Sequence, residues 1–140
     1  VMSGMSELAP RRLVLTHDVR LDESGIPRLA THGWQQTSTA TLWTHIERFM
    51  NVGLTHVVCT DIGRDGRMVG PNLTLYSEAV RRYPELHWQA SGGIAAARDL
   101  RSLSVCGVAA AISGRALLEN RISPEELRPF LPNASSRASM

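Results

Sequence analysis

No lysine occurs in this sequence; all fifteen basic residues are arginine. Biased codon usage is the ordinary reading of that composition, but it has a chemical consequence. Schiff-base or general-base chemistry on a lysine is excluded within the chain. Cysteine is scarce as well. Cys59 and Cys106 both stand in apolar surroundings, so no disulfide framework is expected and a cytoplasmic location fits. No apolar run is long enough for a membrane helix, and no secretory signal is read. Charge is nearly balanced: a formal net charge of +2 is too small to point to nucleic acid. The five histidines, His17, His32, His45, His56 and His87, show no metal-ligand spacing, so no metal is assigned.

What is present suits one domain with a real core: 140 residues, 43% of them hydrophobic. The organising stretch is Val57–Gly66. A short run of β-branched residues breaks off into Thr60, Asp61 and a loop holding Asp65 and the flexible Gly66. That is the pattern of a buried strand delivering side chains at its C-terminal end. Alternation puts His56, Val58 and Thr60 on one face and Val57, Cys59 and Asp61 on the other.

Three more strands are expected, at Leu13–His17, Leu86–Ser91 and Val108–Ser113. After the first, Glu23-Ser24-Gly25 is a turn signal inside Val19–Gly33, which reads as a β-hairpin excursion. An insertion of that length usually covers something. Thr39 is the expected N-cap of the next helix, with Ser38 and Thr41 competing, and Leu42, Ile46, Phe49 and Met50 form its apolar stripe. Asn72 caps a helix that Pro84 stops. A short helix at Ala96–Leu103, a helical turn opened by Gly114-Arg115, and a last helix capped by Ser123 with Pro124 in its first turn complete the order. Residues 1–132 are expected to form the domain and 133–140 a mobile tail. Strands alternating with helices imply a parallel sheet with right-handed crossovers. Four βα units make half of a (β/α)8 TIM barrel. An open doubly wound sheet is the alternative, but its glycine fingerprint normally follows the first strand.

Here the glycines follow the last two strands. Ser91-Gly92-Gly93 and Gly114-Arg115 each join a strand end to a helix start, where free N–H groups can face a phosphate and glycine permits close approach. Their ordinary alternative is a tight turn. Asp18, ending the first strand, can act as a general acid or base, or can simply pair with Arg20. Thr60 can hold a substrate oxygen, or merely fill the strand. Asp65 reads first as a turn former. Trp34, after His32-Gly33, is a stacking platform or a plug over a barrel mouth.

Taken in order, Val14–Arg20 (VLTHDVR), Ala30–Gln35 (ATHGWQ), Cys59–Ile62 (CTDI) with Arg64-Asp65-Gly66, Gly70-Pro71-Asn72, Ala90–Ile94 (ASGGI) and Ser113–Leu117 (SGRAL) resemble the C-terminal half of the HisA/HisF family of histidine biosynthesis. The likeness covers about residues 11–130, and His-Gly-Trp-Gln favours the HisA isomerase branch, the ProFAR isomerases. The resemblance implies an Amadori aldose–ketose isomerisation of a phosphorylated ribose compound, without cofactor or metal, carried by two aspartates. It implies Asp18 as the general acid, Thr60 and Asp65 near the reacting centre, and Gly33, Trp34 and Gly66 against the substrate. Ser91, Gly92, Gly93, Gly114 and Arg115 would form one of two phosphate sites.

The first-strand aspartate and the second phosphate site belong to the other half of the family's barrel, so catalysis by the single chain is open. His17 stands where the family has an apolar residue, Gly63 replaces a serine, and Arg67 replaces a threonine. A non-catalytic phosphate-binding half barrel is the alternative function. Val14, Val58 and Ala111 are read as an inward face left without its opposing half, which predicts a homodimer or higher homo-oligomer.

Overall fold

The computed structural model describes residues 14–31 and 36–131. Strand β1 (Val14–Leu21) runs past Asp18, turns through Asp22–Gly25, and returns antiparallel as β2 (Pro27–Thr31). Asp22 makes the turn: its Oδ1 accepts the N–H groups of Ser24 and Ile26, and its Oδ2 accepts from Arg28 Nε at 2.9 Å. β3 (Gln36–Thr41) pairs antiparallel with β2. Helix α1 (Leu42–Met50) follows, then β4 (His56–Asp61), α2 (Leu73–Arg82), β5 (His87–Ser91), α3 (Ala97–Cys106) and β6 (Ala110–Ile112). Short helices α4 (Arg115–Leu118) and α5 (Pro124–Leu127) close the described chain, with a 3-10 turn at Arg128–Phe130.

The six strands form one mostly parallel sheet in the order β3-β2-β1-β4-β5-β6. β1, β4, β5 and β6 are parallel neighbours, each added beside the last. Their order never reverses, so crossovers of one hand carry α1, α2 and α3 to the same face. That α/β arrangement is consistent with a partial (β/α)8 barrel, and these parallel strands lack the reversal at which a doubly wound sheet binds its ligand.

The core lies on the helix-covered face. Val19, Val57, Cys59, Trp88 and Ala90 of the sheet are fully buried against Leu42, Ile46, Tyr76 and Ala79. The α1 stripe expected from spacing contributes Leu42 and Ile46 fully and Phe49 and Met50 partly; Trp43 joins it, under the Arg82 guanidinium 4.8 Å from its ring centre.

Local differences from the sequence reading have physical causes. The cap of α1 is Thr41, whose Oγ1 accepts from Thr44 N, and not Thr39, because β3 stays paired with β2 up to Thr41. α3 runs on to Cys106 and ends where Gly107 adopts φ 93°, a left-handed cap. β6 is shorter than expected, and Ala111 pairs with Ala90, on the helix-covered face. Ala111 therefore does not share a face with Val14 and Val58; Ile112 does. Leu13, the His32–Gln35 segment and the 133–140 tail lie outside the described residues.

Candidate functional site

The C-terminal ends of the four parallel strands are in register. Asp18 is paired with Thr60, Thr60 with Ser91, and Ser91 with Ile112. With strands spaced about 4.8 Å apart, a carboxyl, a hydroxyl, a second hydroxyl and an apolar side chain stand in a row on the face without helices. Thr60 is buried, while Asp18 and Ser91 are half-buried. Among the described residues, Asp18 is the carboxylate that the row of parallel strands presents on this face, beside Thr60. Asp61 ends β4 on the other side and is almost fully buried.

Asp61 has a structural role. Its Oδ1 accepts from Gly63 N at 2.9 Å, and its Oδ2 accepts from Asn72 Nδ2 at 2.9 Å. Asn72 Oδ1 meanwhile caps α2 by accepting from Leu75 N. One asparagine thus starts α2 and anchors the loop after β4. The cap was legible in the sequence; the bond to Asp61 was not, since the partners are eleven residues apart. Tyr76 was missed as well. Its buried hydroxyl sits 2.8 Å from the Cys59 carbonyl and 2.9 Å from the Ser91 carbonyl, donating to this pair, and accepts from Ser91 N at 3.2 Å. It bridges β4 and β5 just beneath the row and holds the Ser91 backbone in place. Burial pushes its phenol, like the Cys59 thiol, well above the ordinary range.

Beside the row lies a pocket of about 160 Å³ that gathers Ser91, Gly92 and Gly93 with Ser113, Gly114 and Arg115, and has Asp65 and Gly66 on its rim. That volume is below the roughly 300 Å³ at which pockets for whole small molecules begin. It suits one compact group, such as a phosphoryl, with the rest of a ligand lying over the strand ends. Asp18 and Thr60 do not line it.

The glycines differ among themselves. Gly92 and Gly93 have φ of 98° and 88°, and a Cβ on Gly93 would stand 2.4 Å from the Gly70 carbonyl oxygen. Gly70 N donates to the Gly93 carbonyl at 2.8 Å, so the loop after β4 is laid directly on this turn. These two are required by the chain's own packing. Gly114 is not: its φ is −120°, and a Cβ there would meet nothing within 4 Å. Ser113 Oγ, in the pocket wall, is buried with no hydrogen-bond partner among the described residues. Sequence reasoning had Ser113 inside its motif but assigned it no role.

Asp65 and Gly66 are exposed. Gly66 takes φ 72°, and Asp65 N donates to the Asp61 carbonyl, so Asp65 does form a turn while lining the rim. Arg67, flagged as a departure, donates through Nη1 to the Gly63 carbonyl at 3.1 Å and braces the same loop. Gly33 and Trp34 lie outside the described residues.

A small polar pocket at the C-terminal ends of parallel strands, beside a row of acid and hydroxyl groups, is where α/β proteins of this topology place their sites. Within that class the chain belongs to the histidine biosynthesis protein family, which it matches over residues 1–123. It is 44% identical over 126 residues to the 1-(5-phosphoribosyl)-5-((5-phosphoribosylamino)methylideneamino)imidazole-4-carboxamide isomerase of Alteromonas mediterranea, covering 90% of this chain and 51% of that enzyme. It is 50% identical over 114 residues to the same isomerase of Serratia proteamaculans, covering 81% of this chain and 46% of the relative. The Klebsiella pneumoniae isomerase is 44% identical over 126 residues. The chain spans about half the length of the curated relatives it matches.

Proposed function

We propose that the chain is the C-terminal half barrel, four βα units with the β1–β2 hairpin as an excursion, of an aldose–ketose isomerase of histidine biosynthesis. Its substrate is the phosphoribosyl compound after which the related isomerases are named. The observation that carries this reading is the pocket uniting Ser91–Gly93 with Ser113–Arg115, where Ser113 Oγ is buried without a hydrogen-bond partner among the described residues and Gly114 leaves room for a ligand oxygen. Phosphate fits that donor set: hydroxyls, backbone N–H groups and a guanidinium.

With a phosphate held there, the ribose extends along the row toward Thr60 and Asp18. Asp18, protonated, gives its proton to the ring oxygen as the aminoaldose opens. A second carboxylate from a complementary half takes the proton from the neighbouring carbon C2 to give an enaminol, and the ketose forms as C1 takes up a proton and the C2 hydroxyl gives one up. Thr60 orients the sugar, Asp65 supports it from the loop, and Gly33, Trp34 and Gly66 cover it. No cofactor or metal takes part, as in the family this chain resembles. Turnover of the isomerase substrate, measured with and without a supplied complementary half, tests the reading. Absence of turnover with that half present overturns it.

A second reading is favoured by the sheet's edges. Among the described residues β2 pairs with β1 over Val19, Arg20 and Leu21, and β6 is an edge strand of the sheet. Val14 and Ile112 are 44% and 45% exposed on the face without helices. Two copies could pair β1 with β6 in a two-fold dimer, bringing a second Asp18 and a second phosphate pocket, as a phosphate-binding module without the full chemistry. Sedimentation distinguishes the two: a soluble monomer at micromolar concentration overturns self-assembly.

A further inference from the structure

Arg115 connects two parts of the pocket that are far apart in the chain. Its Nη1 donates to the Gly66 carbonyl, 49 residues earlier, and its Nε donates to the carboxylate of Glu119, the C-cap of α4. The loop between β4 and α2 is otherwise braced from within or at its base. Arg64 Nη1 donates to the carbonyls of Gly70 and Pro71, Arg67 Nη1 donates to Gly63, and Gly70 N donates to Gly93. The bond from Arg115 is different: it ties the tip of the loop, Asp65-Gly66, to the β6–α4 turn across the pocket mouth.

A guanidinium has five N–H donors in a rigid fork. Gly66 and Glu119 engage two of them, and the side chain lines the pocket. An anion in the pocket can therefore reach the free donors without displacing Gly66. Glu119 acts in the opposite sense, because its charge neutralises the guanidinium that the anion needs.

We propose that Arg115 is a positioning residue that couples phosphate occupancy of the pocket to closure of the Asp65–Gly66 tip, with Glu119 as the competing anion that keeps the empty pocket loosely latched. The proposal rests on the phosphate reading above. It goes beyond that reading in stating what phosphate binding does: it fixes the carbonyl of Gly66 and so places Asp65 over the strand ends. The glycines supply shape, and Arg115 supplies the link between binding and loop order.

The loop carries two tryptic sites, after Arg64 and after Arg67, which makes its closure measurable. Inorganic phosphate is titrated while the amide signals of Gly93 and Gly114 are followed, and tryptic cleavage in the loop is timed with and without saturating phosphate. In the unaltered chain, phosphate shifts both amides and slows the cleavage several-fold. In Arg115→Ala, phosphate binds more weakly, and at saturation gives no protection. Arg115→Lys restores part of the affinity, since the charge remains, but not the protection, since the fork is lost. Glu119→Gln tightens phosphate by up to about fivefold, the range of an exposed ion pair. Equal protection of the unaltered chain and Arg115→Ala overturns the coupling alone. Unchanged affinity in Glu119→Gln overturns the competition. Failure of phosphate to shift Gly93 and Gly114 in the unaltered chain overturns the pocket reading and this proposal with it.

Discussion

A Cβ at position 93 would lie 2.4 Å from the carbonyl oxygen of Gly70, closer than any side chain can be accommodated without moving the backbone. The contact joins the β5–α3 turn to the loop after β4. Gly93→Ala must also take up φ 88°. Left-handed strain costs about 1–2 kcal/mol and overpacking about 1–3 kcal/mol, so a loss of about 2–5 kcal/mol is expected in urea denaturation. Gly114→Ala meets open space, and its stability is expected to stay within about 0.5 kcal/mol. Its phosphate affinity falls, because the methyl group occupies the space a ligand oxygen needs. A stability loss at 114 equal to that at 93 would contradict the distinction.

Tyr76→Phe removes a buried hydroxyl shared by Cys59 and Ser91. The Ser91 N–H and a strand carbonyl lose their partner, at a cost of about 1–3 kcal/mol. Because Ser91 belongs to the pocket, weaker phosphate binding should accompany the lost stability. Denaturation and phosphate titration on the same variant check both parts.

His17 is a buried histidine between β1 and α1, its ring edge-on to His45 with centres 4.8 Å apart and its Nε2 without a partner among the described residues. Burial, and next the His45 charge, lower its pKa from 6.5 to about 4; only Asp18 acts the other way. Burial, and after it the Arg48 charge on α1, likewise oppose protonation of the adjacent His45. With the folded pKa below the unfolded one, the unfolded chain binds the proton more tightly. Stability is unaffected above the unfolded pKa and declines as pH falls from 6.5 toward 4. The full loss is about 3 kcal/mol. His17→Leu, which restores an apolar residue there, should flatten that part of the stability–pH curve. An unchanged acid slope would refute the assignment.

Asp18→Asn keeps the size of the side chain that β1 presents beside Thr60 and removes its proton-transfer capacity. With a complementary half supplied, turnover is expected to fall by about 100-fold or more. Phosphate affinity should remain, since Asp18 does not line the pocket. Turnover within a factor of a few of the unaltered chain would remove Asp18 from the mechanism.

Features governed by neighbours in sequence could be read from the sequence. Period-two alternation placed Val58 and Thr60 on one strand face and Val57 and Cys59 on the other, because successive side chains in a strand point to opposite sides. Asn72 as a cap and Leu42–Ile46 as a buried stripe follow from equally local geometry. Only the tertiary structure decided that β3 delays the start of α1 to Thr41, that β6 pairs so as to turn Ala111 toward the helices, and that Tyr76 reaches two strand ends. It also separated Gly93, forced by the Gly70 carbonyl, from Gly114, which the chain's packing leaves free, and it joined Arg115 to Gly66. Each of these depends on which distant backbone comes within a few ångströms. No local pattern records that distance, because the same dipeptide Gly-Arg or Gly-Gly is compatible with open space or with a carbonyl pressed against it.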